Sequence, residues 1–332
     1  MVMLRNRKLW IDSIRAIAII MVVFGHQIPE ETSYFVYTST VKMPLFFAIS
    51  GYLFSDRGGN IILFLQKLFW NLIFPWLSLG FISCIPAIRF GMSDFLGRIE
   101  ELLSGERLWF MPCLIWGEVI LFFICRNAKN LFKISLLCIC CTCIGFVMHE
   151  YGIFNFLKIN TAFIVQSFFL IGILYKEIEK KYLNKFNALN ISILFALCVL
   201  LTFIGSLLYP NECIDVHNNQ YFNIPYCFIL IILSSITVFL IFEKTNISNK
   251  ILVFIGQHSL VIYIFHVAFI SLFVEVLSII NITIDNNILL GILNTIYACI
   301  VCSLLSYFIN KYCPIFVGKK KSKTLSDEKH IS

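Results

Sequence analysis

Arg15 and His26 are residue types that do chemistry, and they stand where they can act together, in the apolar stretch 9–28, LWIDSIRAIAIIMVVFGHQI. Eleven steps at about 100° each make about three helical turns, so both side chains fall on one helix face, roughly 16 Å apart along the axis. Asp12 lies three residues before Arg15, close enough to pair with it. An imidazole, with an unperturbed pKa of about 6.5, works as a general base near neutral pH. A guanidinium fork matches phosphate geometry. A phosphate anchor below a proton acceptor, on one face, suits a long substrate with an anionic head and a reactive tip; acyl-coenzyme A is such a molecule. The plainer reading is a packing stripe, with Arg15 paired to Asp12 and His26 bonded to a neighbouring helix. Ionisable groups inside a bilayer are costly and mark functional sites by default, which favours the chemical reading.

The elements that hold this stripe belong to a membrane protein. The 332 residues are 59% hydrophobic and 14% charged, against about 25% charged in a soluble domain. That excludes an ordinary soluble enzyme. The first apolar run is too long for a secretory signal and lacks a small-residue cleavage site, so it is expected to stay as a span. The pattern predicts an all-α, polytopic helical bundle of about ten transmembrane helices: 9–28, 34–54, 68–88, 108–125, 131–148, 160–175, 188–209, 221–242, a lead-in at 251–257 followed by a span to 280, and 288–310. Residues 57–67 read as a polar connection and 89–108 as the longest outer loop. The domain plan is a short N-terminal segment (1–8), a membrane domain (9–310) and a basic tail (311–332).

Charge supports this map. Of 26 Lys and Arg, 20 fall in the N-terminal segment, alternate loops and the tail. Four (Arg89, Arg98, Arg107 and Lys158) fall in the opposite loops, and Arg15 and Lys42 lie within spans. By the positive-inside rule both termini are expected in the cytoplasm, with Arg15 nearer that side than His26. The net charge of +7 is therefore topological, and no nucleic-acid partner is expected. Most of the thirteen cysteines sit in apolar runs. Cys138, Cys140, Cys141 and Cys143 lie within LLCICCTCIGFVM and behave there as small hydrophobes, so no metal is expected. Only Cys213 falls in an obviously exposed loop, which argues against a disulfide framework.

Other residues stand out. Glu118, an intramembrane acid, could orient His26 or bind a sugar hydroxyl, or be neutral and merely paired. Ser259, Tyr263 and His266, at i, i+4 and i+7, share a helix face. They could line an acceptor path or orient the base, or only bond neighbouring helices. Trp109 sits where interfacial aromatics gather, with sugar stacking as a second role. Ser50-Gly51 reads as close helix packing rather than as a nucleophile.

The motifs DSIRAIAIIMVVFGH and FFAISGY together resemble the acyltransferase-3 family of bacterial membrane proteins. LWFMPCLIW, from Leu108, resembles a WFLPAL-type stretch of its sugar O-acetylase branch. FFLIG (168–172) and GQHSLVIYIFH (256–266) match later family patterns, so the resemblance covers about 9–310. It implies transfer of an acyl group, commonly acetyl, from cytoplasmic acyl-CoA to a hydroxyl of a cell-surface or exported glycan or its lipid-linked precursor. It also implies the bacterial inner membrane, with His26 as the catalytic histidine and Arg15 as its motif partner. Many members carry several arginines before the proline of the third span. Here QKLFWNLIFPW offers only Lys67 as a cofactor-binding cation. No SGNH hydrolase-like domain is expected, so transfer finishes in the membrane domain or on a separate partner. Expected partners are membrane lipid and a glycan or lipid-linked sugar, with a homo-oligomer as a further expectation. The rival class is a secondary transporter or glycan flippase. Transporter halves often repeat, and nothing in the second half mirrors the Arg15–His26 pair.

Overall fold

The computed structural model describes residues 8–27, 38–153, 155–210, 212 and 214–319. Cys213 and most of the basic tail lie outside these. Among the described residues the fold is all-α, with one isolated β-bridge between Asp215 and Gln220. The helices are α1 (Leu9–Gly25), α2 (Lys42–Leu53), α3 (Ile61–Leu68), α4 (Phe74–Cys84), α5 (Met92–Ser104), α6 (Phe110–Asn127) and α7 (Leu131–Glu150), then α8 (Ile159–Ile164), α9 (Gln166–Tyr182), α10 (Ala188–Leu208), α11 (Ile224–Thr245), α12 (Lys250–Gln257), α13 (Ser259–Ile279) and α14 (Asn287–Tyr312). Among the described residues, seven helical stretches are long and apolar enough to cross a membrane, and eight if α8 and α9, bent by 48°, form one broken span. The other two expected spans, α1 and α2, are 17 and 12 residues long. They flank residues 28–37, which lie outside the described set.

Two connections differ from expectation. Asn60 accepts the N–H groups of Ile62 and Leu63, so it caps a helix that starts at Ile61, well inside the stretch read as a polar link. That helix continues through a π-helical turn, Phe69–Ile73, into α4. Pro75 explains part of this: it has no N–H to give the carbonyl four residues back, at Asn71. The stretch 89–108, read as a loop, is likewise not irregular. It contains α5, which buries Leu102 and closes at Gly105 in the left-handed region, φ +84.

α1 is the hub, packed against α2, α11, α12, α13 and α14. At its basic end Lys8 bonds Glu179 and Tyr52. Tyr52 donates to Glu179 at 2.5 Å and Tyr175 donates to Glu243 at 2.6 Å, which ties α1, α2, α9 and α11 together. Trp10 packs by its edge against Tyr52, Tyr175 and Phe239 in the same knot.

The two glycines of FFAISGY and FFLIG explain why α2 and α9 lie so close. A Cβ on Gly51 would sit 2.0 Å from the Phe169 carbonyl oxygen, and one on Gly172 would sit 1.9 Å from that of Ala48. Both obstacles are backbone, so a helix must shift to admit a methyl group. Ser50 Oγ donates to the Phe46 carbonyl at 3.0 Å. Gly172→Ala is expected to destabilise the bundle by about 1–3 kcal/mol, the usual cost of overpacking. Thermal melting in detergent would check this against Gly97→Ala, where the added Cβ meets nothing within 4 Å. Equal melting temperatures for the two variants would refute the close-packing account.

Candidate active site

The polar stripe of α1 is anchored at Asp12. This buried carboxylate lies 3.7 Å from the Arg15 guanidinium and accepts from Gln257 Nε2 at 3.4 Å. Gly256 lets α12 come that near, since a Cβ there would lie 1.8 Å from the Asp12 carbonyl oxygen. His258, next in the GQHSL run, pairs its Nδ1 with Ser306 Oγ at 2.7 Å and so ties the same corner to α14.

Three cavities follow one another through shared wall residues. The first, of about 970 Å³, is walled by Arg57, Lys67, Trp70, Asn71, Tyr312 and Lys319. The second, of about 270 Å³, is walled by Arg15, Ser50, Asn71, Gln257, Ser259 and Tyr263. The third, of about 300 Å³, is walled by His26, Lys42, Trp109, Asp215, His217 and Tyr263. Asn71 belongs to the first and second. Met43 and Tyr263 belong to the second and third. Asn71 lies in the π-helical turn, and π-turns are frequent at functional sites.

His26 is exposed in the third cavity, at the C-terminal end of α1. Its ring stands 5.2 Å, centroid to centroid, from that of His266 on α13. His266 is buried, and its Nδ1 lies 3.0 and 2.9 Å from the carbonyl oxygens of Ile262 and Tyr263. Carbonyls only accept, so Nδ1 carries the hydrogen and a neutral His266 keeps its lone pair on Nε2. That Nε2 is buried with no protein hydrogen-bond partner among the described residues. Tyr263 Oη accepts the Phe110 N–H at 3.2 Å and keeps its own hydrogen to donate. Ser259 and Tyr263 line the second cavity, while His266 reaches His26.

Glu118 and Lys67 meet each other at 3.8 Å. Among the described residues Glu118 is not in the wall of the Arg15 or the His26 cavity and faces Lys67 instead. The long lysine side chain reaches across from α3 to the acid on α6, a contact that spacing within one segment could not reveal. Trp109 stands in the wall of the His26 cavity.

Part of the wall of this cavity comes from a segment, 214–218, that was not singled out in the sequence. His217 stacks on Trp109 with centroids 5.1 Å apart and planes 29° apart. His217 Nε2 is 3.4 Å from Glu106, which pairs with buried Lys158 at 2.7 Å. Burial, then the Lys158 charge, holds His217 below the ordinary imidazole range despite Asp215 and Glu106. Burial opposes ionisation of Glu106, but the Lys158 and His217 contacts prevail and hold it below the ordinary carboxylate range. The only local clue was the polar run DVHNN, at 215–219, between two apolar spans.

Residues 8–309 match the family model described as an acyltransferase domain. No curated protein matches the chain, and no solved structure matches it. The family match takes in Arg15, His26, Trp109, Tyr263, His266 and nearly all the helices that carry them, and the chain belongs to the acyltransferase-3 family of membrane acyltransferases.

Proposed function

We propose that this membrane acyltransferase takes an acetyl group from cytoplasmic acetyl-CoA and transfers it to a hydroxyl of a cell-surface or exported glycan, or of its lipid-linked precursor, as a sugar O-acetylase of the bacterial inner membrane. The observation that carries this reading is the series of three cavities, basic at one end and with His26 at the other. The wide first cavity offers Arg57, Lys67 and Lys319 to the phosphorylated nucleotide end. Here the cation near Pro75 is joined by one from the segment after α14, in place of the several arginines of other members. In the second cavity Arg15 takes the phosphate nearest the narrower arm, and the arm carries the thioester past Met43 and Tyr263 towards His26.

His26 takes the proton of the acceptor hydroxyl as its oxygen attacks the thioester carbonyl. The new C–O bond forms, the C–S bond breaks, and the proton passes to the departing sulfur, leaving coenzyme A as the thiol. Tyr263, with a hydrogen to donate, stands where it can stabilise the carbonyl oxygen as charge develops on it. The 20-to-4 split of basic residues supports cytoplasmic termini and donor access from the cytoplasm. Mass analysis of surface glycans from cells with and without this protein tests the reading. Loss of one acetyl per repeat is the expected result, and an unchanged glycan profile would reject the acceptor class.

A further inference from the structure

The wall of the His26 cavity contains a segment built like a recognition element. Ile214 and Val216 are buried in the core, and Asp215 and His217 alternate with them. Asp215 and Gln220 exchange both backbone hydrogen bonds, at 3.0 and 2.9 Å, which closes the segment into a tight loop. Asp215 Oδ1 accepts the His217 N–H at 2.9 Å, and Oδ2 accepts from Asn218 Nδ2 at 2.7 Å. The loop is thus braced internally and pinned by two apolar plugs. Oδ1 also accepts the Asn218 N–H at 3.4 Å, so of about four acceptor positions on a carboxylate one is left for a ligand.

Trp109 and His217 add an aromatic surface, and the ion pair of Glu106 with buried Lys158 stands behind His217. Strained backbone surrounds them. Leu108, Leu157 and Lys158 all have positive φ, at +56, +55 and +59. Such residues adopt sparsely populated conformations, which gather at ligand clamps. Gly105 permits the crossing of these two strained segments, because a Cβ there would lie 2.8 Å from Leu157 Cα.

We infer that loop 214–220 and Trp109 form the acceptor subsite, and that it holds one pyranose ring with a hydroxyl turned to His26. The inference rests on the acyl-transfer reading above and specifies the acceptor side of the same site. A sugar ring presents a C–H face for Trp109 and His217 and hydroxyls that both donate and accept. Asp215 accepts, Asn218 does both, and Lys42 donates. A simple aliphatic alcohol would leave most of these polar groups unmatched, which is costly. At about 300 Å³ the cavity is at the small end of ligand pockets, which suits one ring rather than a chain of them.

The test uses the full chain in lipid nanodiscs with His26→Ala in the background, so that nothing turns over. Saturation-transfer NMR with methyl α-D-glucopyranoside, methyl α-D-mannopyranoside and n-butanol reads the acceptor side; acetyl-CoA binding to the same protein reads the donor side. At least one pyranoside is expected to bind, and n-butanol is not. Adding Trp109→Ala is expected to weaken the sugar about tenfold, the equivalent of roughly 1.4 kcal/mol. Adding Asp215→Asn should weaken it about three- to tenfold, the usual range for a lost hydrogen bond. His217→Phe keeps an aromatic ring on Trp109 and is expected to keep the sugar, which shows that the loop is intact where Trp109→Ala weakens binding. Retained acetyl-CoA binding with no pyranoside bound overturns the subsite and spares the transfer reading. Sugar bound equally by all variants places it elsewhere and also overturns the subsite. Failure of the wild-type protein to bind acetyl-CoA removes the transfer reading and this inference with it.

Discussion

His26→Ala is expected to cut acyl transfer by about 10²–10⁴-fold, the span typical of a lost general base, while leaving a folded, membrane-inserted protein. The fold should survive because His26 stands at the end of α1, exposed in its cavity, whereas the packing of α1 is carried by Ile11, Ile14, Ala18, Ile19, Val22 and Val23. Its neighbour His266 is a poor substitute, since it is buried and turned by two backbone carbonyls. A remnant of activity is expected because the alignment of donor and acceptor outlasts loss of the base. Rapid quench with labelled acetyl-CoA and no acceptor separates direct transfer from a route in which His26 itself is acylated first. Covalent label that disappears in His26→Ala would mark the acyl-histidine route. A folded His26→Ala protein with near-wild-type transfer would remove His26 from the chemistry and reduce the stripe of α1 to architecture.

What was legible in the sequence was what helical periodicity controls. Asp12 and Arg15 lie on α1 and His26 caps its C-terminal end, an arrangement that helical spacing alone suggests. The same holds for Ser259, Tyr263 and His266 on α13, and for the break at Gln257 between α12 and α13. Contacts between distant segments were not legible. Lys67 meets Glu118 and His217 meets Trp109 only because of how helices and a loop are packed. The start of α3 was hidden because Asn60 caps it from within an apparently polar link. The π-helical turn at Phe69–Ile73 was hidden for another reason. Pro75 announces a disturbed helix but not the kind of disturbance, and it is the π-turn that puts Asn71 between the first two cavities.

Arg15→Lys is expected to raise the KM for acyl-CoA by about 10–100-fold, the equivalent of losing one hydrogen bond to a charged group, roughly 1.5–3 kcal/mol. The guanidinium is held by Asp12 at 3.7 Å on one side and lines the second cavity on the other. A lysine keeps the charge but replaces a rigid fork by a single ammonium, which cannot clamp a phosphate in the same two-pronged way. Asp12 is itself held by Gln257, so its carboxylate keeps a partner when the fork is lost. The damage should therefore appear in donor use more than in stability. Arg15→Ala goes further and removes the guanidinium beside buried Asp12 altogether, which is expected to lower stability as well. Comparing the two variants separates the roles. An acyl-CoA titration of purified protein, run beside a thermal melt, should show Arg15→Lys with raised KM and a near-normal melt, and Arg15→Ala impaired in both. If Arg15→Lys instead lowers the melting temperature and leaves the KM unchanged, Arg15 serves only to neutralise Asp12, and the donor must be held by the Arg57, Lys67 and Lys319 cavity alone.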